Sequence, residues 1–557
     1  SKIVSQYSSK AGWYSGVSYS TASIVGADTD RLSGPVPRKG GGSGSPRAGR
    51  PGDDGAVPLD PRTPVIVGVA QVTDRVDDPS TARTALELMI DAGRSAAIDA
   101  GAAGSEASVD VVAVVGGIWS YRDPGRQVAG ALGASAATTL LTGLSGTSPQ
   151  RLLAHLSARI ADGELDAALM VGGEVFRSRR RARQLDVVVR RDVDESLAPA
   201  ERFEGVLDMS TPHEESRGLV EPGVFYPVAE SAIRHARGET VDQHRRRVGA
   251  LWARFNEVAC TNPHAASRTP MDAKAITTPT GDNRMVAAPY TRAMMANNNV
   301  DQASAVLVTS VARAETLGVN RDRWVFPHVA TRADDPGSPS ARMHLHRSPG
   351  IRISGASALS AAGLHLDNVD HLDLYACFPS SVQVCATELG LDADGETRPL
   401  TTNGGLTFAG GPHSNSVGQS LATLVGRLRE TPGTGLLYAN GGYLGKHAFG
   451  IYGTEPPATP FRSIDGAAEV ADEPTRTPAP DFTGTAIVNG YTVRHDRYGQ
   501  PTEALVAALT PGRDSKGDRD SSRVWGGTTD RATLDTLLDG DLVGQPCDLD
   551  PTGLISL

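Results

Sequence analysis

Short, almost unbroken apolar runs, separated by segments with helical spacing, set the tightest limit on how this chain folds. Pro64-Val65-Ile66-Val67-Gly68-Val69-Ala70, Val109 to Val115 and Ala167-Ala168-Leu169-Met170-Val171 have no polar alternation, the pattern of strands covered on both faces. Helical stretches run from about Thr81 to Ala100 and from Gln127 to Leu132, and a further strand spans Thr138 to Leu144. This alternation predicts a sheet flanked by helices. Ser148-Pro149 reads as the start of another helix, serine capping free N–H groups and proline filling a first turn that needs no donor. That helix puts Leu152, Leu153, Leu156 and Ile160 on one face and stops near Gly163.

From Phe176 to Asn283 the chain reads as a polar insertion, with helical material around Val241 to Val258, before Ala303 to Val308 resumes the sheet pattern. Trp324-Val325-Phe326, a helical Ser354 to Gly363, Leu372 to Tyr375 and Gly435 to Tyr438 then repeat the style. Two similar α/β halves are therefore expected, at 62–330 (with the insertion at about 176–283) and 331–455. Residues 1–61, with Gly40 to Pro46 at their most polar, read as a flexible tail that cannot offset the entropy of ordering. Residues 456–480, rich in Pro, Ala and Thr, read as a linker. Residues 481–557 read as a small β-rich domain, in which a hairpin turn over 496–501 joins two strands and a short helix spans Ala532 to Leu538.

A net charge of −10 gives no general attraction for nucleic acid or an anionic membrane, so an anionic ligand needs a local basic site. In the last domain Asp514, Asp518, Asp520, Asp530 and Asp539 offset Arg513, Lys516 and Arg519, and no nucleic-acid partner is expected. The four cysteines, Cys260, Cys377, Cys385 and Cys547, show no metal-ligand spacing and suit reduced thiols in a cytoplasm. No run approaches 18 apolar residues and no basic-then-apolar leader is visible, so the reading is a soluble, cytoplasmic protein without a membrane partner.

Several stretches resemble the thiolase superfamily, in particular its sterol-carrier-thiolase-like, acetyl-CoA acetyltransferase-like branch. They are Asn283-Arg284-Met285 with Ala288-Pro289-Tyr290, Asn299-Val300-Asp301-Gln302-Ala303, Leu374-Tyr375-Ala376-Cys377-Phe378-Pro379, Asn403-Gly404-Gly405-Leu406-Thr407-Phe408 with Gly410-Gly411-Pro412, and Asn440-Gly441-Gly442-Tyr443-Leu444 with Lys446-His447. In order they cover residues 62 to about 455. The last segment is similar to the extra domain of thiolase-like proteins type 1. The resemblance implies a thiolase fold, duplicated α/β halves in a five-layer α-β-α-β-α arrangement, plus a small C-terminal OB-like β-barrel. It also implies a coenzyme A thioester as substrate or ligand, with no resident cofactor. A homodimer, or a partner protein docked on the C-terminal domain, stays open.

Thiolases move an acyl group to a reactive cysteine and use a histidine and a second cysteine for proton transfer, and this chain departs at each position. The nucleophile's slot falls at Ser145 or Gly146. The family's Gly-His-Pro is Gly410-Gly411-Pro412, the second cysteine's place is taken by Ala439-Asn440, and the Asn or His that holds a catalytic water falls at Tyr375. Losing such a set costs on the order of 10⁴ to 10⁶ in rate where it has been dissected in a hydrolase. Two kinds of activity remain. One is an acetyl-CoA acetyltransferase-like acyltransferase of lipid metabolism. The other is retro-aldol cleavage of a β-hydroxyacyl-CoA through Tyr375, as the resemblance to steroid-side-chain aldolases implies. A non-enzymatic acyl-CoA or lipid-binding module is the third reading.

For each candidate residue a chemical role stands beside a structural one. Ser145 is a nucleophile activated by His413 or His447, or a small residue in a tight loop. Tyr375 transfers a proton, or packs as a buried ring. Lys446 and His447 point into a cleft, or are a surface cation and a hydrogen-bonded imidazole. In Arg177-Ser178-Arg179-Arg180-Arg181-Ala182-Arg183, Arg177, Arg179 and Arg180 grip the phosphates of coenzyme A, or form a solvated face. Gly405, Gly410, Gly411, Asn440, Gly441 and Gly442 let the backbone approach a ligand and present N–H groups to an oxyanion, or simply make turns. Cys377 and Cys385 default to buried structural thiols.

Overall fold

The computed structural model describes residues 59–557 except 191, 205–208 and 513–519. Most of the 1–61 tail and the Arg513–Arg519 stretch therefore lie outside the described residues. The apolar runs form the first sheet, from β1 (Pro64–Asp74), β2 (Val111–Val114), β3 (Thr138–Thr142), β4 (Ala167–Val175), β5 (Glu201–Phe203) and β6 (Asp301–Ser310), in the order β1-β6-β4-β2-β3-β5. β6 runs antiparallel to both neighbours, while β4, β2, β3 and β5 are mutually parallel. Helix α1 (Ala85–Asp99) begins four residues later than its spacing suggests, because Thr84 and Glu87 close a capping box there. It covers one face of this sheet together with α2 (Pro124–Leu132).

The second sheet is built from β7 (Phe326–Asp334), β8 (His371–Leu374), β9 (Thr434–Gly441), β10 (Lys446–Gly453) and β11 (Arg462–Asp465), in the order β8-β9-β10-β7-β11. Between the sheets lie α3 (Ser148–Ala161) and α9 (Ser416–Glu430). Leu152, Leu156, Val417 and Leu421 share one apolar cluster with Val111 and Met170 of the first sheet and Leu437 and Ala448 of the second. On the far side of the second sheet pack α7 (Pro349–Ala362) and α8 (Pro379–Leu389). The result is five layers, helices-sheet-helices-sheet-helices, stitched between the sheets where Ile66 and Val325 exchange backbone hydrogen bonds of 2.8 and 3.1 Å.

Three stretches differ from their sequence reading. Ser148 lies inside α3 and caps nothing: its Oγ donates to Gly143 O at 3.1 Å. The 176–283 insertion is far from polar throughout. It contains α4 (Phe176–Leu185), α5 (Pro222–Ala236) and α6 (Val241–Thr261), and α5 is buried from Val224 to Arg234. Its Glu230 carboxylate meets His244 of α6 at 2.7 Å, Gln383 of α8 at 2.6 Å and the Tyr290 hydroxyl, so a buried polar network locks the insertion onto the second half. The 456–480 stretch, read as a linker, lays β11 parallel to β7 at the sheet edge.

Beyond it, β12 (Gly484–His495), β13 (Pro501–Leu509), β14 (Arg523–Thr528), β15 (Pro546–Leu549) and β16 (Ile555–Ser556) pair in the order β14-β13-β12-β15-β16. A parallel bridge from Gly527 to Leu554 brings the two end strands together, closing a small barrel, with α10 (Arg531–Asp539) beside it. Arg523, almost wholly buried, donates to Pro339 O at 3.0 Å, and Trp525 Nε1 donates to Ser340 Oγ at 3.0 Å. The barrel is thereby fixed to the second half by buried donors. Among the described residues no helix is long and apolar enough to cross a membrane.

Candidate functional site

Four element ends converge because parallel strands followed by helices deliver their loops to one edge of each sheet. β3 ends at Thr142 and α3 starts at Ser148, leaving Gly143 to Thr147 as a tight loop. Tyr375 follows β8, Gly441 ends β9, and Ser416 opens α9. The loops meet closely. A Cβ placed on Gly146 would lie 2.1 Å from Asn440 O and 2.8 Å from the Tyr375 hydroxyl, and one on Gly441 would lie 2.4 Å from Ser145 Oγ. Gly146, one of the two residues at the nucleophile's slot, is therefore a position where no side chain fits without a shift of these loops.

Ser145 Oγ is 2.8 Å from Thr147 Oγ1 and accepts from Thr147 N at 3.2 Å. Among the described residues neither His413 nor His447 hydrogen-bonds to it. Tyr375 is half-buried; burial pushes its phenol well above the ordinary tyrosine value, and a hydrogen bond from Ser416 opposes that only in part. The Cys377 thiol is pushed up to about 12 by burial, which keeps it protonated and poorly nucleophilic, and Cys385 is likewise raised.

Tyr226 of α5 completes the cluster, and sequence reasoning missed it. Its hydroxyl donates to Gly442 O at 3.1 Å and accepts from Asn440 Nδ2 at 2.7 Å and from Leu444 N at 3.1 Å, while its ring stacks on Phe378 at 4.5 Å. One side chain thus pins the turn that follows β9. The available signal was the apolar run Val224-Phe225-Tyr226-Pro227-Val228-Ala229, masked by the polar composition around it.

His413 stands three residues before α9, with φ 51°, its Nδ1 at 3.1 Å from Ser414 Oγ and its ring against Phe176. Burial lowers its pKa to about 4, so the imidazole is neutral near pH 7. His447 is elsewhere. In β10 it faces the core, with Nδ1 at 2.9 Å from the Tyr438 hydroxyl and Nε2 at 3.1 and 3.2 Å from Ser348 Oγ and Asp335 Oδ2. Both ring nitrogens are occupied, which gives it the structural role. Lys446 points the other way, 3.7 Å from Asp334.

The arginine run is also largely committed. Arg177 donates to Val76 O, Arg179 to Ile118 O and Arg181 to Asp77 O, so these guanidinium groups anchor α4 and its neighbouring loops, while Arg180 is exposed. The glycines divide similarly. Gly441 and Gly442 belong to the cluster. Gly405 packs on Ala376 and Phe255, Gly410 on Gln302, and Gly411 near Asn298 and Leu406. A second missed residue is Glu174 at the end of β4, a buried carboxyl raised to about 7 by desolvation. Its Oε1 accepts from Ile118 N at 2.5 Å, and its Oε2 has no partner among the described residues.

Residues 466–553 match the family model of the thiolase-like protein type 1 additional C-terminal domain. In structure the chain is similar to a monomeric SCP2-thiolase-like protein type 1 from Mycobacterium smegmatis, at 30% identity over 90% of this chain and 100% of that one, with a TM-score of 0.75. The Ltp2-ChsH2(DUF35) aldolase shares the fold at 17% identity, covering 71% of this chain and 98% of that one, TM-score 0.54. So does the dimeric peroxisomal thiolase of Saccharomyces cerevisiae, at 14% identity, covering 71% and 98%, TM-score 0.51. No curated protein matches the chain in sequence. With its thiolase layers, its remodelled loop cluster and its appended barrel, the chain belongs to the SCP2-thiolase-like proteins type 1.

Proposed function

We propose that this protein binds an acyl-CoA thioester and cleaves a carbon–carbon bond beside the thioester carbonyl by a retro-aldol reaction, with no acyl-enzyme intermediate. One observation carries the reading: of the two residues at the nucleophile's slot, Gly146 is pressed against Asn440 O and the Tyr375 hydroxyl, and Ser145 Oγ is bonded only within its own loop, to Thr147. Acyl transfer would need a thiolate or a base-activated hydroxyl. Among the described residues neither histidine hydrogen-bonds to Ser145, and Cys377 keeps its proton.

In the proposed reaction the β-hydroxyl gives its proton to neutral His413 as the bond between the α and β carbons breaks. The β carbon leaves as a carbonyl product, and Tyr375 protonates the α carbon of the shortened thioester's enolate. Near pH 7 the Tyr375 phenol carries a proton to give and the His413 imidazole is free to take one. Backbone N–H groups of the Gly441-Gly442 turn are the candidates to steady the enolate oxygen. The likeness in fold to a protein described as an aldolase agrees with this reading.

Tyr375→Phe tests it, with acyl-CoA binding followed by calorimetry and cleavage by product analysis. The expected result is binding within about threefold of wild type and cleavage down at least 100-fold, the scale of a lost acid–base group. Unchanged cleavage overturns the proposal.

A further inference from the structure

The Asn440 side chain is fully enclosed, and its two ends are treated unequally. Nδ2 donates to the Tyr226 hydroxyl at 2.7 Å and reaches Ser381 Oγ at 3.4 Å. Oδ1 has no hydrogen-bond partner among the described residues. The amide cannot simply be turned over. Tyr226 has one hydroxyl proton and gives it to Gly442 O, so the Asn440 atom that faces it at 2.7 Å is the donor Nδ2. Leaving a buried carbonyl oxygen unpartnered costs about 1–3 kcal/mol. The orphaned atom belongs to the residue whose own backbone carbonyl closes on Gly146 beside the Tyr375 hydroxyl, in the centre of the candidate site.

We infer that Asn440 is a specificity-determining residue whose Oδ1 accepts a hydrogen bond from the β-hydroxyl of the bound substrate, before that hydroxyl turns to give its proton to His413, selecting β-hydroxyacyl thioesters over β-ketoacyl and saturated ones. This rests on the acyl-CoA reading above and adds to it the residue by which the site tells a β-hydroxyl from a keto group or a methylene. A hydroxyl brings the donor that Oδ1 lacks. A keto group brings a second acceptor and a methylene brings nothing, so both leave the buried oxygen unpaired, and a site that loses a hydrogen bond in this way rejects the analogue. Tyr226 acts behind Asn440 as a positioning residue, since it fixes which face of the amide the ligand meets.

The test is calorimetric titration of the full chain with 3-hydroxybutyryl-CoA, acetoacetyl-CoA and butyryl-CoA, on wild type, Asn440→Leu and Asn440→Asp, each checked for folding by its thermal melt. Wild type is expected to bind the hydroxy ester about tenfold more tightly than either analogue. Asn440→Leu is expected to lose that preference while still binding butyryl-CoA within about threefold of wild type, and Asn440→Asp, which keeps an acceptor, to retain it. Equal wild-type affinity for all three esters overturns the proposal and leaves the acyl-CoA reading standing, the orphaned oxygen then holding a buried water only. A hydroxy preference that survives Asn440→Leu also overturns it. No binding of any ester overturns both. Should Asn440→Leu fail to fold, the wild-type ligand series and Asn440→Asp still decide.

Discussion

Replacing Gly146 with alanine probes the closed slot directly. The added methyl would sit 2.1 Å from Asn440 O, whereas real carbon–oxygen contacts do not fall below about 3.0 Å, so one backbone must move by almost 1 Å. Neither yields easily. Asn440 is held in the ladder opposite His447, and the Gly143 to Thr147 loop is tied by Ser148 Oγ to Gly143 O at 3.1 Å. Overpacking of this kind costs about 1–3 kcal/mol, and a fixed backbone partner puts Gly146→Ala at the upper end, about 3 kcal/mol. At roughly 2 cal/mol/K per residue over roughly 500 residues, that lowers the melting midpoint by about 3 °C. Gly130→Ala is the control: it lies in α2 with open space around it, and alanine there should gain up to about 1 kcal/mol. Adding Tyr375→Phe to Gly146→Ala should not restore stability, because the shorter contact is with Asn440 O. Scanning fluorimetry on the four proteins decides. Gly146→Ala melting within about 1 °C of wild type, or full rescue by Tyr375→Phe, would refute the packing argument.

Three further outcomes are expected. Glu174 has its folded pKa raised to about 7, so the folded state holds a proton that the unfolded chain has released, and stability falls as pH rises from about 4.5 through 7. Glu174→Gln, which keeps the acceptor for Ile118 N, should therefore stabilise by on the order of 3 kcal/mol at pH 8 and have little effect at pH 4.5, read from melts across pH. His413 works in the opposite sense: with its folded pKa lowered to about 4, its contribution is fully present above about 6.5 and is lost as pH falls toward 4, so His413→Phe should flatten the acid limb of the same curve. Glu230→Ala, which removes the buried partner of His244 Nε2 and Gln383 Nε2, should destabilise by about 3–5 kcal/mol in urea titrations; a loss below 1 kcal/mol would mean that the network does not hold the insertion.

The layers were legible in the sequence because strands buried on both faces, such as Val65 to Val67 and Ala167 to Val171, must be apolar at every position. The clustering of Ser145, Gly146, Tyr375, Asn440 and Gly441 was legible only as likeness in motif, since their separation along the chain runs to almost 300 residues. Composition failed where it averages. The 176–283 stretch is rich in charge, yet α5 within it is buried and supplies Tyr226. Period-2 alternation decides His447 against Lys446, and the strand's register was not visible beforehand: His447 faces Asp335 and Tyr438 while Lys446, on the opposite face, lies against Gly441, Gly442 and Asp334. The arginine run reads as free charge in a sequence, and only coordinates show Arg177, Arg179 and Arg181 spent on carbonyl oxygens. Orphaned atoms such as Asn440 Oδ1 and Glu174 Oε2 leave no trace in sequence at all.

The central claim, a thiolase fold working on a thioester without an acyl-enzyme, is tested most directly by intact-protein mass spectrometry during turnover of 3-hydroxybutyryl-CoA, sampled from the first turnover onward. The account predicts acetyl-CoA and acetaldehyde as products while the protein mass stays unchanged. An acyl adduct that maps to Ser145 or Cys377, formed and discharged as fast as product appears, would contradict it.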